Sequence, residues 1–187
     1  MIRFAATCIA ICATALPAGA AEMLSIKVDH VDGKYLMNSE VWFDAPLENV
    51  YEVFRRWDYS AEFSSAIVEA KDVEPDEQGR PQFYVQNKGC VLFFCKSFER
   101  RGYVELELNS FLLAFTDPET SDFHLSDERW DFETRDGGTV VTYDLMMTPK
   151  FWIPPAIGPY LIKRKLRNDG GNAIDRIEVI ARGLAGD

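Results

Sequence analysis

The sequence is poor in the residues that build metal and nucleophile sites. Its 187 residues include only four cysteines and two histidines, and His30 and His124 lie far apart in the chain. Structural zinc usually takes four ligands, and two isolated histidines do not complete such a set. The motifs of serine hydrolases, zinc proteases and phosphate-binding loops are also missing from the sequence. We therefore expect no metal and no cofactor, and we treat catalysis as open.

Basic residues are scarce as well. The chain carries 20 Lys and Arg against 30 Asp and Glu, which gives a formal net charge of −10. Nucleic acids need a basic surface, so this balance argues against a nucleic acid as the main partner. Internal repeats and long proline- or glycine-rich tracts are absent from the sequence too. The length suits one domain, and we expect a monomer.

Long apolar runs are confined to the N-terminus. The first twenty residues, MIRFAATCIAICATALPAGA, contain a basic Arg3, an apolar run over residues 4–16 and a final Ala-Gly-Ala. The run is shorter than the roughly 20 apolar residues that cross a bilayer, and the last three residues match a cleavage site. We predict that residues 1–20 are a cleaved signal peptide, and that residues 21–187 form a single domain in the periplasm.

Cleavage would leave two cysteines, Cys90 and Cys95, in the segment GCVLFFC. An exported protein meets oxidising conditions, so an even count of two favours a disulfide. Residues five apart point to opposite faces of a straight strand, but across a hairpin they face each other. We predict a disulfide that closes a hairpin at this point. The alternative, a metal pair, needs further ligands, and the spacing is not that of a C-x-x-C redox motif.

The rest of the sequence predicts an α+β chain. Residues 25–33 alternate and then turn at Asp32-Gly33, and a second strand follows over 34–43. Two short helices are predicted next, in DAPLENVYEVFRRWD and SAEFSSA. A two-residue period then predicts strands at 67–75, 81–90, 95–108, 110–117, 123–134 and 138–148. A helical period predicts one long C-terminal helix over residues 154–184, in which Gly170 and Gly171 indicate either a kink or break, or room on the inner face.

Three segments resemble one known superfamily. DAPLENVYEVFRRWDYSAEFSSAIVEAKDVE is similar to its first helix pair and following strand, with Asp58, Tyr59, Phe63 and Val68 in the usual places. ERWDFETRDGGTVVTYDLMMTP resembles its last hairpin, and FWIPPAIGPYLIKRKL resembles the start of its closing helix. The superfamily is the START/polyketide cyclase-dehydrase (SRPBCC) superfamily, and the likeness is to its exported bacterial branch and its coenzyme Q-binding proteins.

The resemblance implies a helix-grip fold, in which a curved antiparallel sheet of about seven strands wraps a long C-terminal helix. It also implies a cavity for a hydrophobic ligand between sheet and helix. Its motifs are structural and say little about function, because the superfamily includes lipid carriers, ligand sensors, cyclases and hydratases.

Alternating apolar residues indicate which side chains face the interior. Ordinary core packing accounts for most of them, and the resemblance implies that some line the cavity. The predicted inward set is Phe83, Val85, Phe98, Val104, Leu106, Leu113, Phe115, Trp130, Phe132, Val141, Tyr143, Leu145 and Met147, with Gly170 on the helix.

The order of the strands places two apolar segments at one end of the sheet. Consecutive strands run antiparallel, so the VLFF tip between the cysteines and the FWIPP segment before the long helix share that end. The expected mouth consists of Leu92, Phe93, Phe94, Phe151, Trp152 and Ile153. These side chains either cap the core or form a lip that contacts a membrane or partner transiently. Lys150 and residues 163–165 nearby are either a headgroup-binding cluster or a solvated face.

These observations favour a periplasmic binding or carrier protein for a hydrophobic ligand, such as a lipid, quinone or isoprenoid, which Tyr143 would help to orient. One alternative is a cyclase- or dehydratase-type enzyme that uses a buried acid or tyrosine. Its candidate catalytic residues are Asp144, Tyr143 and His124, and the sequence does not group them into a catalytic set. A second alternative is a module that binds another envelope protein through the apolar lip.

Overall fold

The computed structural model of the chain describes residues 20–91, 94–153 and 156–185, so nearly all of the expected signal peptide lies outside the described residues. One antiparallel sheet dominates, with strand order β1-β2-β8-β7-β6-β5-β4-β3. The strands are β1 Glu22–Val31, β2 Lys34–Phe43, β3 Ile67–Val73, β4 Gln82–Val91, β5 Phe94–Glu107, β6 Phe111–Thr116, β7 Phe123–Arg135 and β8 Gly138–Pro149. The helices are α1 Leu47–Arg55, α2 Ser60–Phe63 and α3 Gly158–Gly183, with a 3₁₀ turn at Trp57–Tyr59.

The sheet has eight strands, one more than the seven or so that the resemblance implied, and the expected turn at Asp32-Gly33 separates β1 from β2. Asp32 and Gly33 form that turn with φ of 50° and 77°. Asp136 and Gly137 repeat the same conformation between β7 and β8, with φ of 52° and 79°. Such positive values suit the two-residue hairpin turns that Asp-Gly favours.

The long helix α3 runs without a break through Gly170 and Gly171. A break into two helices is therefore wrong, and the contacts at Gly170 support the interpretation that it leaves room on the inner face, while a kink stays a prediction. A Cβ atom there would lie 3.0 Å from Met37 Cε and 3.5 Å from Ile26 Cδ1, so the glycine lets the helix approach the sheet. Within the described ranges, no helix is both long and apolar enough to cross a bilayer.

The C-terminal half of α3 is fixed to α1 and to the end of β2. Ile177 and Ala181 are buried in the core with Tyr51. Polar contacts add to this packing, since Glu178 Oε2 accepts a hydrogen bond from the Asp44 backbone N–H at 3.0 Å. The Arg182 guanidinium also lies 2.6 Å from the Asp44 carboxylate. The core therefore lies at this end, and the N-terminal half of α3 covers a different part of the sheet.

Strand β6 faces opposite to our expectation. We predicted Leu113 and Phe115 to point inward, but Leu112 and Ala114 are the buried residues. Phe115 instead stacks on Tyr103, with ring centroids 5.1 Å apart. The strand reads FLLAFT, with apolar residues at both parities, so its alternation does not define a face.

A cavity under the C-terminal helix as candidate functional site

Helix α3 and the concave face of the sheet enclose a cavity of about 690 Å³. Strands β2 and β8 contribute Val41 and Leu145 to its wall, and α3 contributes Ile162, Leu166 and Ile174. Ligand sites of small molecules typically have volumes of about 300–1,000 Å³ and mainly apolar walls. The cavity therefore has the size and the lining of a site for one hydrophobic molecule.

The predicted inward residues fall into three groups. Those in the cavity wall are Val85, Phe98, Trp130, Val141, Tyr143, Leu145, Met147 and Gly170. Those in the buried core cluster beside the cavity are Phe83, Val104 and Phe132. Those outside both are Leu113 and Phe115, which lie on the outer face, and Leu106, which is 41% exposed near the end of β5. Contact of any of them with a ligand stays a prediction.

The opening of the cavity is marked by wall residues that are also exposed to solvent. These are Lys88, Cys90, Cys95, Lys96 and Trp152. The β4–β5 hairpin and the connection from β8 to α3 thus meet at one end of the sheet, as the strand order predicted. Aromatic side chains form this contact, since the ring centroids of Phe151 and Phe98 lie 5.5 Å apart.

The predicted disulfide is present between Cys90 and Cys95, which face each other across β4 and β5. The strands extend one residue beyond the cysteines, because Val91 pairs with Phe94. Leu92 and Phe93, which we expected in the mouth, lie outside the described residues, as does the side chain of Phe94. Of the expected mouth residues, Phe151, Trp152 and Ile153 all line the cavity.

Three polar side chains of the wall contact one another. Arg100 Nη2 lies 2.8 Å from Glu128 Oε2, and the Tyr143 hydroxyl donates a hydrogen bond to Glu128 Oε1 at 2.7 Å. Arg100 Nη2 also approaches the Ser126 carbonyl at 3.4 Å. The side chains of Arg100 and Glu128 are each only 10% exposed. We call Arg100, Glu128 and Tyr143 the polar triad.

Electrostatics make the polar triad a neutral assembly with a protonated phenol. Burial, and then the negative charge of Glu128, raise the pKa of Tyr143 well above its usual value. Burial lowers the pKa of Arg100, but the charge and the hydrogen bond of Glu128 raise it above its usual value on balance. Arg100 therefore stays cationic opposite the carboxylate, and Tyr143 stays a hydrogen-bond donor.

Aromatic packing holds Tyr143 in place. Trp130 pairs with Tyr143 across β7 and β8, and the two rings stack with centroids 5.2 Å apart. The Trp130 ring in turn lies 6.2 Å from the Phe54 ring of α1. The phenol is thus positioned by its neighbours and does not depend on the hydrogen bond to Glu128 alone.

Two of the three members of the polar triad were missed in the sequence. Glu128 shares the parity of Trp130 and Phe132, which we predicted to face inward, and Arg100 shares that of Phe98 and Val104. The signal was therefore present, but the predicted inward set contained only apolar residues, Tyr143 and Gly170. Parity alone could have placed both side chains in the interior.

The other catalytic candidates lie away from the cavity. Asp144 is exposed and accepts a hydrogen bond from Asn38 Nδ2 at 2.8 Å, so it is not the buried acid that an enzyme would need. His124 is also exposed. Glu128 is the acid that the fold places in the cavity instead. In the described part of the chain, His, Cys, Asp and Glu form no cluster of three that could hold a metal ion.

Comparison with known sequences finds no match, either to a family model or to a curated protein. Comparison with solved structures finds many similar folds. A STAR-related lipid transfer protein from Xanthomonas axonopodis has a TM-score of 0.64 at 13% identity, over 88% of this chain and 99% of that one. A START superfamily protein from Mycobacterium smegmatis has a TM-score of 0.61 at 15% identity, over 78% and 98% of the two chains.

A third similar structure is an enzyme, the Zhui aromatase/cyclase from Streptomyces sp. R1128. Its TM-score is 0.59 at 14% identity, over 80% of this chain and 94% of that one. Identities this low concern the fold alone, and the same fold serves unrelated functions. The chain therefore shares the helix-grip fold of START-superfamily proteins and aromatase/cyclases.

Proposed function

We propose that the protein binds and carries a hydrophobic small molecule in the cavity between the sheet and α3. The observation that carries this proposal is the apolar cavity of about 690 Å³ with an opening at one end. The lipid transfer protein among the similar structures supports this kind of ligand. The envelope-module alternative is less favoured, because it would suit a filled interior beneath an exposed lip.

The polar triad narrows the class of ligand. Arg100 and Glu128 already compensate each other's charge, so an anionic headgroup beside them would add a net charge to a poorly hydrated space. A neutral polar group can exchange hydrogen bonds with the triad without that cost. We propose a ligand with a long apolar body and one small neutral polar group, such as a quinone, an isoprenoid alcohol or a neutral lipid.

We propose that the carrier works in the periplasm and exchanges its ligand at the opening, through transient contact with a membrane. The N-terminal segment, with its short apolar run and Ala-Gly-Ala end, supports export. The Cys90–Cys95 pair supports an oxidising compartment, where disulfides persist. Detection of the processed chain in an osmotic-shock fraction would test this location, and retention of an uncleaved chain in the cytoplasm would contradict it.

Native mass spectrometry of protein purified from its own cell envelope tests the carrier proposal. The expected result is a bound species that solvent extraction recovers as a neutral, hydrophobic molecule. A double variant that fills the cavity, Val41→Phe with Ile174→Phe, serves as the control, because both side chains line the wall. The proposal would be contradicted if the purified protein carries no hydrophobic molecule and takes none up when one is added.

One observation favours an enzyme as the second candidate. Tyr143 and Glu128 place a phenol and a carboxylate 2.7 Å apart in the cavity, where proton transfer to or from a bound ligand is geometrically available. A cyclase or dehydratase would release a molecule that has lost water, and the carrier would return its ligand unchanged. The mass of the extracted species before and after incubation therefore separates the two.

A further inference from the structure

The charge of this acidic protein is distributed unevenly around the cavity opening. Residues 150–167 contain five basic residues and no acidic one, and residues 88–98 contain two basic residues and no acidic one. The whole chain has a net charge of −10. The basic residues in question are Lys88, Lys96, Lys150, Lys163, Arg164, Lys165 and Arg167. The opening is therefore framed by cations on a molecule that is negative elsewhere.

Large apolar side chains are exposed among these cations. Trp152 is 78% exposed, Tyr160 66% and Ile157 46%. Tyr160 and Arg164 follow each other at helical spacing on the exposed face of α3, whereas Ile162 on another face lines the cavity. An exposed apolar and aromatic patch of this kind marks an interaction surface.

Several of the cations are available to a partner. Lys165 pairs with Asp169 at 2.6 Å, and the Lys150 ammonium donates to the Pro118 carbonyl. By contrast, Lys88, Lys96 and Arg164 form no ion pair with any residue that the structure describes. Lys96 lies over the Phe151 ring instead, with its Nζ atom 4.9 Å from the centroid.

The acidic turn over residues 117–122 lies at the same end of the sheet but is engaged elsewhere. Asp117 accepts hydrogen bonds from the Glu119 backbone N–H and the Thr120 hydroxyl at 2.8 Å each. Asp122 accepts from the Glu99 backbone N–H at 2.9 Å. None of the residues 117–122 lines the cavity. These carboxylates therefore lie outside the cavity wall, whereas Lys88 and Lys96 line it.

We infer that this surface, which we call the basic lip, docks on a bilayer that contains anionic phospholipid. The basic lip consists of Lys88, Lys96, Trp152, Ile157, Tyr160 and Arg164. Tryptophan and tyrosine favour the membrane interface, and lysine and arginine reach the anionic headgroups while their stems lie along apolar surface. The inference rests on the proposed function, since docking places the opening against the bilayer and a ligand then passes without crossing water.

Flotation with lipid vesicles tests the inference. The purified protein is mixed with vesicles of phosphatidylcholine alone, or of phosphatidylcholine with phosphatidylglycerol, at low and high salt. We expect binding to the anionic vesicles only, and we expect it to weaken as salt screens the charges. The triple variant K88Q/K96Q/R164Q should bind roughly 100-fold more weakly, at about fivefold for each cation. The variant W152S should also bind more weakly, because it loses its interfacial anchor.

A matched control lies on the same helix. Arg176 and Val179 are also exposed on α3, and Arg176 lies about 24 Å further along the helix axis than Tyr160. The variant R176Q/V179S should therefore bind vesicles as the wild type does. Far-ultraviolet circular dichroism and a thermal melt show that each variant is folded.

Three results would overturn the inference: no binding to anionic vesicles, equal binding to neutral ones, or full binding by the triple variant. A protein that binds an acidic protein but does not bind anionic vesicles would also overturn the inference. Ligand content, measured by native mass spectrometry on the same samples, separates this failure from that of the proposed function. If the protein contains its ligand but does not bind vesicles, the carrier proposal stands and the docking role of the basic lip is contradicted.

Discussion

The Tyr143 hydroxyl donates a hydrogen bond to Glu128 Oε1 across 2.7 Å, in a cavity whose wall is otherwise mostly apolar. This contact joins β8 to β7 and gives Glu128 a second partner, since its other oxygen lies 2.8 Å from Arg100 Nη2. The stability of the cavity and its preference for a ligand therefore depend on the same three side chains. Variants of these residues can separate the two roles.

Removal of the phenol hydroxyl should destabilise the fold. Tyr143→Phe keeps the ring and its stacking on Trp130 but leaves Glu128 Oε1 without its donor, at a cost of about 1–3 kcal/mol. Tyr51→Phe is the matched control, because the Tyr51 hydroxyl is buried and has no hydrogen-bond partner in the described structure. We expect that variant to be at least as stable as the wild type. Urea unfolding of both proteins measures the difference, and equal loss in the two would contradict the prediction.

The buried ion pair should behave as a unit. Glu128→Leu alone leaves the Arg100 guanidinium without its counter-charge in the interior, which costs about 3–5 kcal/mol. Adding Arg100→Met removes the uncompensated charge, so the double variant should recover most of that stability. A double-mutant cycle in urea measures the coupling, and an additive result would show that the two charges act independently.

Selectivity should change in the same double variant. The wild type should bind hexadecanol more tightly than hexadecanoate, because the carboxylate would bring an uncompensated charge beside the neutral triad. A cavity without Arg100 and Glu128 keeps only the Tyr143 hydroxyl of the polar triad as a partner for the alcohol, so we expect weaker binding of the alcohol. Calorimetric titration with both probes checks this, and tighter binding of hexadecanoate by the wild type would refute the neutral-headgroup assignment.

Stability should fall at alkaline pH in part because of Tyr143. Its pKa is raised in the folded state, so the folded protein keeps a proton that the unfolded chain releases near pH 10. The contribution of Tyr143 to stability is therefore complete below about pH 10 and declines as the pH rises from there towards the folded pKa. Thermal melts between pH 8 and 11 should show a smaller decline in Tyr143→Phe than in the wild type, and parallel declines would show that other groups dominate.

The disulfide should contribute modestly to the global stability. Cys90 and Cys95 are five positions apart, so the loop they close is short and the entropic stabilisation is at most about 2–3 kcal/mol. Alkylation of the unreduced protein should label neither cysteine. The double variant C90S/C95S should keep its fold and its ligand. Full labelling without reduction, or loss of the fold in the variant, would contradict this account.

Local chemistry explains which parts of the fold could be predicted. The Asp-Gly pairs at Asp32 and Asp136 encode their own turns, and the cysteine spacing located a hairpin. The facing of β6 could not be predicted, because apolar residues occupy both of its parities. The polar triad depends on distant strands, since Arg100 on β5 reaches Glu128 on β7 past the small Ala114 of β6, which pairs with Glu128. No local pattern reports such a contact.

The two adjacent glycines of α3 should respond differently to the same substitution. Gly170 lines the cavity and a Cβ there would lie 3.0 Å from Met37 Cε, whereas a Cβ on Gly171 would meet nothing within 4 Å. Gly171→Ala should therefore stabilise the helix by up to about 1 kcal/mol, and Gly170→Ala should gain less because the end of Met37 must move. Thermal melts of the two alanine variants measure this difference.

Leucine at the same two positions separates helix stability from cavity volume. Gly170→Leu should place its side chain in the cavity and reduce uptake of hexadecanol, while Gly171→Leu should leave that uptake unchanged. Both variants gain the same helix propensity, so a loss confined to position 170 follows only if the ligand occupies the space beneath this part of α3. Equal uptake by the two leucine variants would show that the ligand does not occupy the space beneath the inner face of the helix.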